Sequence, residues 1–375
     1  MPTAVGFSMA LQQNLNMPLK LADLKFDCRS FRGDIPCKPH KQHGVHCLDE
    51  QGNDCRYYEP ARKKILIIKL GAIGDVIRTT PLVTRLKALD PDAEIWWLTR
   101  TPEILPPNLD VRLPYTVDSL VTLQAITFDA IYSLDKDKDA CALGATLAAR
   151  VKRGFTLREG KPFPIDAAAE HKYFTGIFDD ISKTNTKSYQ QEIFEICGLQ
   201  FSGEKYLLPA VDDFAWDIPK TQPVIGLNTG CAGRWTSRLW PEDYWVELSR
   251  QLLQAGYLPL LLGGAQEHEK NVRLAQKSGA RYLGHFPLAQ FISEVNHCDL
   301  VVTAVTMAMH ITIGLGKKIV LFNNIFNRHE FELYGLGEIL EPDFDCSCFY
   351  APTCPNHCMQ YLSVEKVFNA CARLK

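Results

Sequence analysis

The sequence predicts an α/β protein with two doubly wound domains that face a cleft. Short apolar runs alternate with amphipathic stretches from Lys64 onward, which is the order of strand, helix and strand that builds a parallel sheet. The same alternation restarts after a proline-bearing stretch at residues 209–223. A chain of 375 residues is long enough for two such domains and an appendage.

The first predicted domain begins with a continuous apolar run at residues 65–68, which is typical of a buried parallel strand. A glycine-containing turn follows at 70–74, and an amphipathic helix is predicted from Asp75 to Leu89 because apolar residues recur at helical spacing. Two more short strands are predicted at 95–98 and 128–134.

The second predicted domain repeats this organisation. Its apolar runs predict four strands, at residues 224–227, 258–262, 300–302 and 319–322. Helices are predicted between them, at 241–255 with Pro241 in the first turn, from Gln266 onward, and at 307–314. Two Rossmann-like domains of this kind place a ligand site in the cleft between them.

Composition excludes several classes of protein. Hydrophobic residues make up 46% and charged residues 22% of the chain, so a disordered protein is excluded. The net charge of −2 provides no basic excess for nucleic acid, and we expect no nucleic-acid partner. Because no apolar run reaches 18 residues and no signal-peptide pattern opens the chain, we expect a cytoplasmic protein.

The first candidate site is the turn at residues 69–75, between a strand and a helix. Gly71 and Gly74 allow close approach of a ligand to the backbone, and a helix N-terminus favours anions. The spacing matches neither a dinucleotide fingerprint nor a P-loop. Asp75 has two interpretations at this point, as a chemical group of the cleft or as a simple helix N-cap.

Two further candidates follow strands of the second domain. Residues 228–241 combine glycine, threonine and two arginines, Arg234 and Arg238, ahead of a helix, which suits a phosphate cradle. A solvated surface loop is the alternative. Residues 303–310 end in His310, which is either a site residue or a structural histidine.

Together these segments resemble family 9 glycosyltransferases, the ADP-heptose:lipopolysaccharide heptosyltransferases. Residues 67–81, with the run Lys-Leu-Gly-Ala-Ile-Gly-Asp, are similar to the opening of that family. Arg-Leu-Trp-Pro-Glu at 238–242 stands where the family has Lys-x-Trp-Pro-Glu, and residues 302–310 stand where it has Asp-Thr-Gly-x-x-His. The resemblance spans residues 64–340 and implies the GT-B fold, with the acceptor on the first domain and the nucleotide-sugar on the second.

The resemblance also implies roles for individual residues. Asp75 takes the position of a catalytic base that deprotonates the acceptor hydroxyl during an inverting transfer. Gly74 and Arg78 fall on the acceptor side. The donor diphosphate is assigned to five residues: Thr229, Gly230, Arg238, Thr306 and His310.

Substrates follow from the same resemblance. It implies a nucleotide-sugar donor, with a heptose from ADP-heptose favoured, and a lipopolysaccharide-type or other cell-envelope glycolipid or oligosaccharide as acceptor. No cofactor is expected for the sugar transfer itself. Peripheral contact with the cytoplasmic face of the inner membrane is a further expectation.

The sequence departs from the family pattern at the donor loop. Val305 and Met307 replace the usual aspartate and glycine, and Arg238 replaces the usual lysine. These changes leave two alternatives to a transferase. One is a non-catalytic, glycosyltransferase-like protein that binds a nucleotide-sugar or senses metal or redox state, and the other is a sugar-nucleotide epimerase of the same architecture.

Eight of the thirteen cysteines are grouped towards the two ends of the chain. In a chain without an export signal, such groups favour metal ligation over disulfides. We predict Zn²⁺ or, as the alternative, an iron–sulfur cluster, and reduced thiols are the remaining possibility. The predicted ligands are Cys28, Cys37, Cys47 and Cys55 in the first group and Cys346, Cys348, Cys354 and Cys358 in the second.

These groups set the outer limits of the predicted domain organisation. We expect a Cys/His-rich N-terminal extension at 1–59, an acceptor domain at 60–215, a nucleotide-sugar domain at 216–340 and a Cys-rich tail at 341–375. The tail is expected to return towards the first domain and to bring the two cysteine groups together. A metal there would stabilise the domain arrangement without touching the sugar chemistry.

Overall fold

The structure is a computed structural model that describes residues 20–49, 51–219, 221–231 and 233–374. Contacts between residues divide the chain into two compact units. The smaller unit comprises the described part of residues 1–63 together with 92–94. The larger unit comprises residues 64–91 and the chain from 95 onward.

The smaller unit is built mostly from turns. It contains a 3-10 helix at Leu21–Asp23 and the short helix α1 at Lys38–His43. Two isolated bridges, Cys28 with Pro60 and Leu48 with Asp54, pin its loops. Its four cysteines, Cys28, Cys37, Cys47 and Cys55, all line one cavity of about 480 Å³.

The larger unit contains both predicted doubly wound sheets. The first sheet has the order β3-β2-β1-β4-β5-β6; the pairs β2–β3, β1–β4 and β4–β5 are parallel, and the edge pair β5–β6 is antiparallel. We call this sheet with its helices the first half. Its strands are β1 Lys63–Ile68, β2 Ala93–Thr99, β3 Val111–Pro114, β4 Phe128–Ser133, β5 Ala149–Arg158 and β6 Lys161–Pro164.

The second sheet has the order β12-β11-β10-β7-β8-β9, and all of its pairs are parallel. We call this sheet with its helices the second half. Its strands are β7 Val224–Asn228, β8 Leu258–Leu262, β9 Arg281–Tyr282, β10 Leu300–Ala304, β11 Lys318–Phe322 and β12 Gly337–Leu340. The strand order reverses between β1 and β4 in the first sheet and between β7 and β10 in the second. Ligands of doubly wound sheets bind at such switch points.

Helices connect the strands in both halves. The first half contains α2 Ile73–Thr79, α3 Pro81–Leu89, α4 Val117–Gln124, α5 Lys138–Thr146, α6 Ala167–Phe174, α7 Asp179–Thr184 and α8 Tyr189–Ile196. The second half contains α9 Glu242–Gln254, α10 His268–Ser278, α11 Leu288–Asn296, α12 Met307–Gly314 and α13 Val364–Arg373. Among the described residues, none of the helices has the length and apolar character that a membrane crossing requires.

Three predicted helix starts differ from the structure. The helix predicted from Asp75 to Leu89 begins earlier, at Ile73, and is interrupted because Pro81 has no N–H and starts α3 instead. Pro241 is the N-cap of α9 and lies outside its first turn. The helix predicted from Gln266 begins as a 3-10 turn at Ala265–Glu267, and α10 follows it.

The tail contacts both halves. Its helix α13 packs against α9, and Leu362 and Val367 are fully buried in the core of the second half. The Trp240 indole donates a hydrogen bond to the Leu362 carbonyl at 2.9 Å, which fixes this packing. A loop of the tail reaches the first half, where the Phe349 ring lies 5.0 Å from the Lys183 ammonium. The meeting of the two cysteine groups stays a prediction.

Candidate functional site

Asp75 lies where the first half meets the second, and it is not a helix cap. The N-cap of α2 is Ala72, and Asp75 is the third residue of the helix, without a capping bond. Its carboxylate instead pairs with the Arg78 guanidinium one turn later, at 2.7 Å. The side chain remains 34% exposed, so solvent reaches it.

Charge around Asp75 keeps this carboxylate ionised. Burial alone would raise the pKa of Asp75, but the Arg78 and Lys69 cations lower it to about 2. Arg78 is held in turn by the Tyr189 ring, 3.5 Å from the guanidinium, and by Glu330 at 3.9 Å from the second half. Asp75 is therefore a charged group at every physiological pH.

Two further cations near this face of the first half, Lys69 and Lys172, also have carboxylate partners. Lys69 and Asp135 form a buried ion pair at the end of β1. Lys172 lies 2.6 Å from the Glu192 carboxylate, which also accepts a hydrogen bond from the Thr175 hydroxyl at 3.2 Å. The charge of each of these cations is thus balanced by a carboxylate of the first half.

Gly74 of α2, in the first half, lies against the His310 ring of α12, in the second half. A Cβ atom on Gly74 would lie 2.5 Å from the His310 ring, so only glycine lets α2 approach α12 this closely. Burial and the nearby Arg78 lower the pKa of His310 to about 3, so the imidazole is neutral. Its Nδ1 is buried and has no hydrogen-bond partner among the described residues.

The ends of β7 and β10 form the opposite face, in the second half. The Asn228 amide donates to the Thr303 hydroxyl at 2.9 Å and to the Thr306 hydroxyl at 3.3 Å, joining the two strand ends. Thr306 is the N-cap of α12, and its hydroxyl makes no capping bond. A Cβ on Gly230 would lie 2.2 Å from the Glu267 carboxylate, so a side chain there would displace Glu267.

Two cations on this second face form no ion pair with a carboxylate among the described residues. Arg238 is 8% exposed and donates to the backbone carbonyls of Val305 and Cys231. Lys270 is half-buried and donates to the Thr229 carbonyl at 2.8 Å. Burial lowers the pKa of both groups, although the nearby Glu267 opposes this shift at Lys270. An anion placed here would stabilise both cations.

The four tail cysteines converge. Their Sγ atoms all lie within 4.8 Å of one another, with Cys346 to Cys354 at 3.5 Å and Cys348 to Cys358 at 3.6 Å. Among the described residues, no other group of three or more potential ligands meets this limit. The Asn324 amide and the Cys358 N–H donate towards these sulfurs, as expected around metal thiolates. The tail therefore contains a candidate metal centre.

The structure thus brings together most residues that the sequence singled out. Gly74, Asp75 and Arg78 lie on one face, and His310 meets them from the other half. Thr229, Gly230, Thr306 and Arg238 share the second face. The N-terminal cysteines are not part of the tail group, and their metal binding stays a prediction.

Several site residues were not found from the sequence. Tyr189 and Glu330 hold Arg78, and Lys270 supports Thr229, although none of them lies in a recognisable motif. Lys270 gave the one usable signal, since it follows the Gly263-Gly264 turn at the end of a predicted strand. Contacts across the cleft have no sequence signature, because the partners are more than a hundred residues apart.

Comparison with known proteins identifies the family of this chain. A model of glycosyltransferase family 9 (heptosyltransferase) matches residues 122–326, more than half of the chain. A curated relative, lipopolysaccharide heptosyltransferase 2 of Salmonella typhimurium, is 32% identical over 125 residues, which are 32% of this chain and 34% of that protein. The chain thus aligns with about a third of the length of this relative.

Solved structures share the fold. A family 9 glycosyltransferase from Veillonella parvula superposes with a TM-score of 0.64 at 17% identity, over 84% of this chain and 98% of that one. The dodecameric iron-containing heptosyltransferase TibC, solved with ADP-D-beta-D-heptose, gives 0.52 at 13% identity, over 84% and 77%. These likenesses confirm the predicted two-sheet GT-B architecture. On the match of the family model, the chain belongs to glycosyltransferase family 9, the heptosyltransferase family.

Proposed function

We propose that this protein is an inverting glycosyltransferase that moves a heptose from ADP-heptose to a cell-envelope glycan. The observation that carries this proposal is the juxtaposition across the cleft. An ionised carboxylate, Asp75, lies beside the contact of Gly74 with His310, and the second face holds Arg238 and Lys270, which bond to backbone carbonyls. A base opposite an anion site is what transfer from a nucleotide-sugar requires.

The proposed step uses both faces. The acceptor hydroxyl oxygen attacks the anomeric carbon of the sugar, and its proton passes to the Asp75 carboxylate. The bond from the anomeric carbon to the β-phosphate oxygen breaks, and ADP departs with the electron pair. Attack opposite to the leaving group inverts the anomeric configuration.

The second face would hold the departing diphosphate. Arg238 and Lys270 are the cations available there, and the Thr306 hydroxyl stands at the N-terminus of α12, where backbone N–H groups favour anions. His310 is neutral, so it would contribute a hydrogen bond and no charge. The departures at Val305 and Met307 leave this set intact, because Val305 contributes its backbone carbonyl to Arg238.

Turnover with a panel of nucleotide-sugars tests the function. Purified protein would be incubated with ADP-heptose, other ADP-sugars and UDP-sugars, with a heptose-deficient lipopolysaccharide core as acceptor. We expect ADP release only with ADP-heptose, and NMR of the product should show the opposite anomeric configuration to the donor. Retained configuration would exclude the inverting mechanism, and binding without turnover would favour the non-catalytic alternative.

We further propose that the tail cysteines hold one tetrahedral metal ion, with Zn²⁺ favoured. Four sulfurs at about 2.3 Å from zinc lie about 3.8 Å apart, which fits a group within 4.8 Å. A four-iron cluster needs its thiolates on the order of 6 Å apart, which this group is too compact to provide. A single iron ion is the alternative, and the iron-containing TibC shares the fold.

The N-terminal cysteines are proposed as a second, different metal site. Cys28, Cys37, Cys47 and Cys55 line one cavity together with His40 and His46, and the Tyr57 N–H donates towards the Cys55 sulfur at 3.5 Å. Because these thiols lie outside the compact limit that the tail meets, the cavity suits an iron–sulfur cluster better than one ion.

Elemental analysis separates the two sites. Protein purified anaerobically without chelator should contain about one zinc, together with iron and acid-labile sulfide. Cys37→Ala should lose iron and sulfide alone, and Cys346→Ala should lose zinc alone. Cys197→Ala, at a buried cysteine outside both groups, is the matched control and should lose neither. Less than about half an equivalent of total metal would exclude both sites.

A further inference from the structure

The cysteine tail is bonded directly to the loop that carries Arg238. Ser237 lies in the 3-10 turn Thr236–Arg238, and its N–H donates to the Pro352 carbonyl at 3.0 Å. Its hydroxyl donates to the Ala351 carbonyl at 2.7 Å. Both carbonyls belong to the chain between Cys348 and Cys354, so the loop that would hold the metal also holds Ser237.

A second connection joins the same turn to a cysteine sulfur. The Asn324 amide donates to the Ser237 carbonyl at 2.8 Å and towards the Cys358 sulfur at 3.2 Å. Trp235, just before the turn, packs against the buried cluster of Ile325 with three tail cysteines. Ser237 is therefore fixed through its N–H, hydroxyl and carbonyl, and each of these bonds involves the tail or a residue that contacts it.

The turn determines where Arg238 points. Arg238 is the last residue of the turn and is 8% exposed, with its guanidinium donating to the Cys231 carbonyl at 3.1 Å. A long side chain in such a buried position depends on its backbone being held, because any shift of the turn would move the guanidinium. An ordered tail loop therefore keeps the Arg238 guanidinium in place on the second face.

The tail loop also reaches the first half. The Phe349 ring lies 5.0 Å from the Lys183 ammonium, and the next residue, Tyr350, is 45% exposed. The Tyr350 N–H donates to the Ile325 carbonyl at 2.8 Å, which joins this loop to the same cluster. One short loop therefore contacts both the turn of Arg238 and the first half.

We infer that the metal centre of the tail is a structural part of the sugar-transfer site, because it sets the Ser237 turn and with it Arg238. Metal binding would order the loop of Ala351 and Pro352 and so pre-organise the site for the donor diphosphate. The inference rests on the proposed donor and metal sites. It replaces the expectation that the metal would leave the sugar chemistry untouched.

Hydrogen exchange with and without metal tests the coupling. Whole protein would be stripped with a chelator, verified by elemental analysis, and compared with protein reloaded with zinc chloride. We expect the amides of residues 233–240 to exchange about tenfold faster without metal, and ADP to bind about tenfold more weakly. Exchange and ADP affinity that are unchanged in verified metal-free protein would overturn the inference, as would a protein that binds no metal at all.

A substitution that spares the metal covers the case in which stripped protein unfolds. Ser237→Ala removes the bond to Ala351 and leaves every cysteine and Arg238 in place. We expect full metal content and about fivefold weaker ADP binding. The matched control is Ser249→Ala, because the buried Ser249 hydroxyl makes a bond of the same length, 2.7 Å, to Trp245 within α9. Equal ADP affinity in both variants would overturn the inference.

These readouts separate the inference from the proposed function. Metal-dependent protection of the Ser237 amide in a protein that transfers no sugar would uphold the coupling and remove the transferase. Sugar transfer with metal-independent protection and ADP affinity would do the reverse.

Discussion

The two faces of the cleft use charge in opposite ways. On the first face, Arg78 has carboxylate partners and Lys69 pairs with Asp135, and although burial opposes it, the pKa of each of these cations is raised. On the second face, Arg238 and Lys270 bond only to backbone carbonyls among the described residues, and burial lowers the pKa of both.

This difference supports the proposed placement of the acceptor on the first face and the donor on the second. A face whose charges are already balanced gains little from an additional anion, and it can keep a carboxylate ionised for proton transfer. A face whose cations bond only to carbonyls would be stabilised by a diphosphate. Lys136 is the exception on the first side: burial and Lys172 lower its pKa to about 8, and it donates to a carbonyl at the end of α6.

Asp75→Asn, on the first face, should have the largest effect on turnover. Removing the base should lower turnover about 100-fold or more while ADP binding stays normal, since the amide keeps the shape but accepts no proton. Steady-state kinetics and ADP titration would measure both. Glu195→Gln, which changes an exposed ion pair elsewhere, should leave turnover intact. Near-normal turnover of Asp75→Asn would remove Asp75 from the role of base.

Among substitutions on the second face, Arg238→Met should weaken ADP binding most. We expect ADP affinity to fall roughly 10- to 30-fold, and stability to fall by about 1–3 kcal/mol because two buried carbonyls lose their donor. Calorimetric titration and thermal melts would measure these changes. Arg234→Met, an exposed arginine in the same loop, is the control and should change neither. A stability loss with normal ADP affinity would make Arg238 purely structural.

Lys270→Met should give a smaller loss on the same face. The ammonium makes one bond, to the Thr229 carbonyl, so ADP affinity should fall about fivefold and stability should change little. The dependence of ADP affinity on salt should also weaken. Lys277→Met, an exposed lysine of the same helix, provides the comparison. The same ADP affinity in both variants would place the diphosphate elsewhere.

Arg78→Met should have the smallest effect at neutral pH and a clear one in acid. With a pKa of about 2, Asp75 stays ionised and gives wild-type kcat/KM no acid limb above about pH 4. Without Arg78 that pKa rises, because burial then acts with less opposition, and kcat/KM should fall as pH falls through about 6 to 4. Arg100→Met, in an exposed ion pair, should keep the wild-type profile. Identical profiles would mean that Arg78 does not set the charge of Asp75.

Local features of the fold were predictable, and contacts between distant segments were not. The strand at Leu258–Leu262 and the helix at Met307–Gly314 have the predicted bounds, because apolar periodicity and glycine punctuation are local signals. The Gly74–His310 contact and the hold of Tyr189 on Arg78 are tertiary, so no window of sequence contains both partners.

The cysteine groups show the same limit. Both groups looked alike as spacings, yet only the tail thiols meet within 4.8 Å, because Ile325 and Asn324 from a preceding loop complete their surroundings. The packing of α13 against α9 also had no signal in the sequence, because it depends on the folded second half. Sequence spacing therefore singled out the cysteines but not their geometry.

The position of a bound diphosphate tests the assignment of the base to the first face and of the donor site to the second. A crystal structure of the protein with ADP would locate both phosphates against the two faces. We predict diphosphate oxygens within hydrogen-bonding distance of the second face, at Thr306, Arg238 or Lys270, with the Asp75–Arg78 pair across the cleft unchanged. A diphosphate bound to Arg78 and Lys69 on the first face would contradict the assignment of base and donor sites.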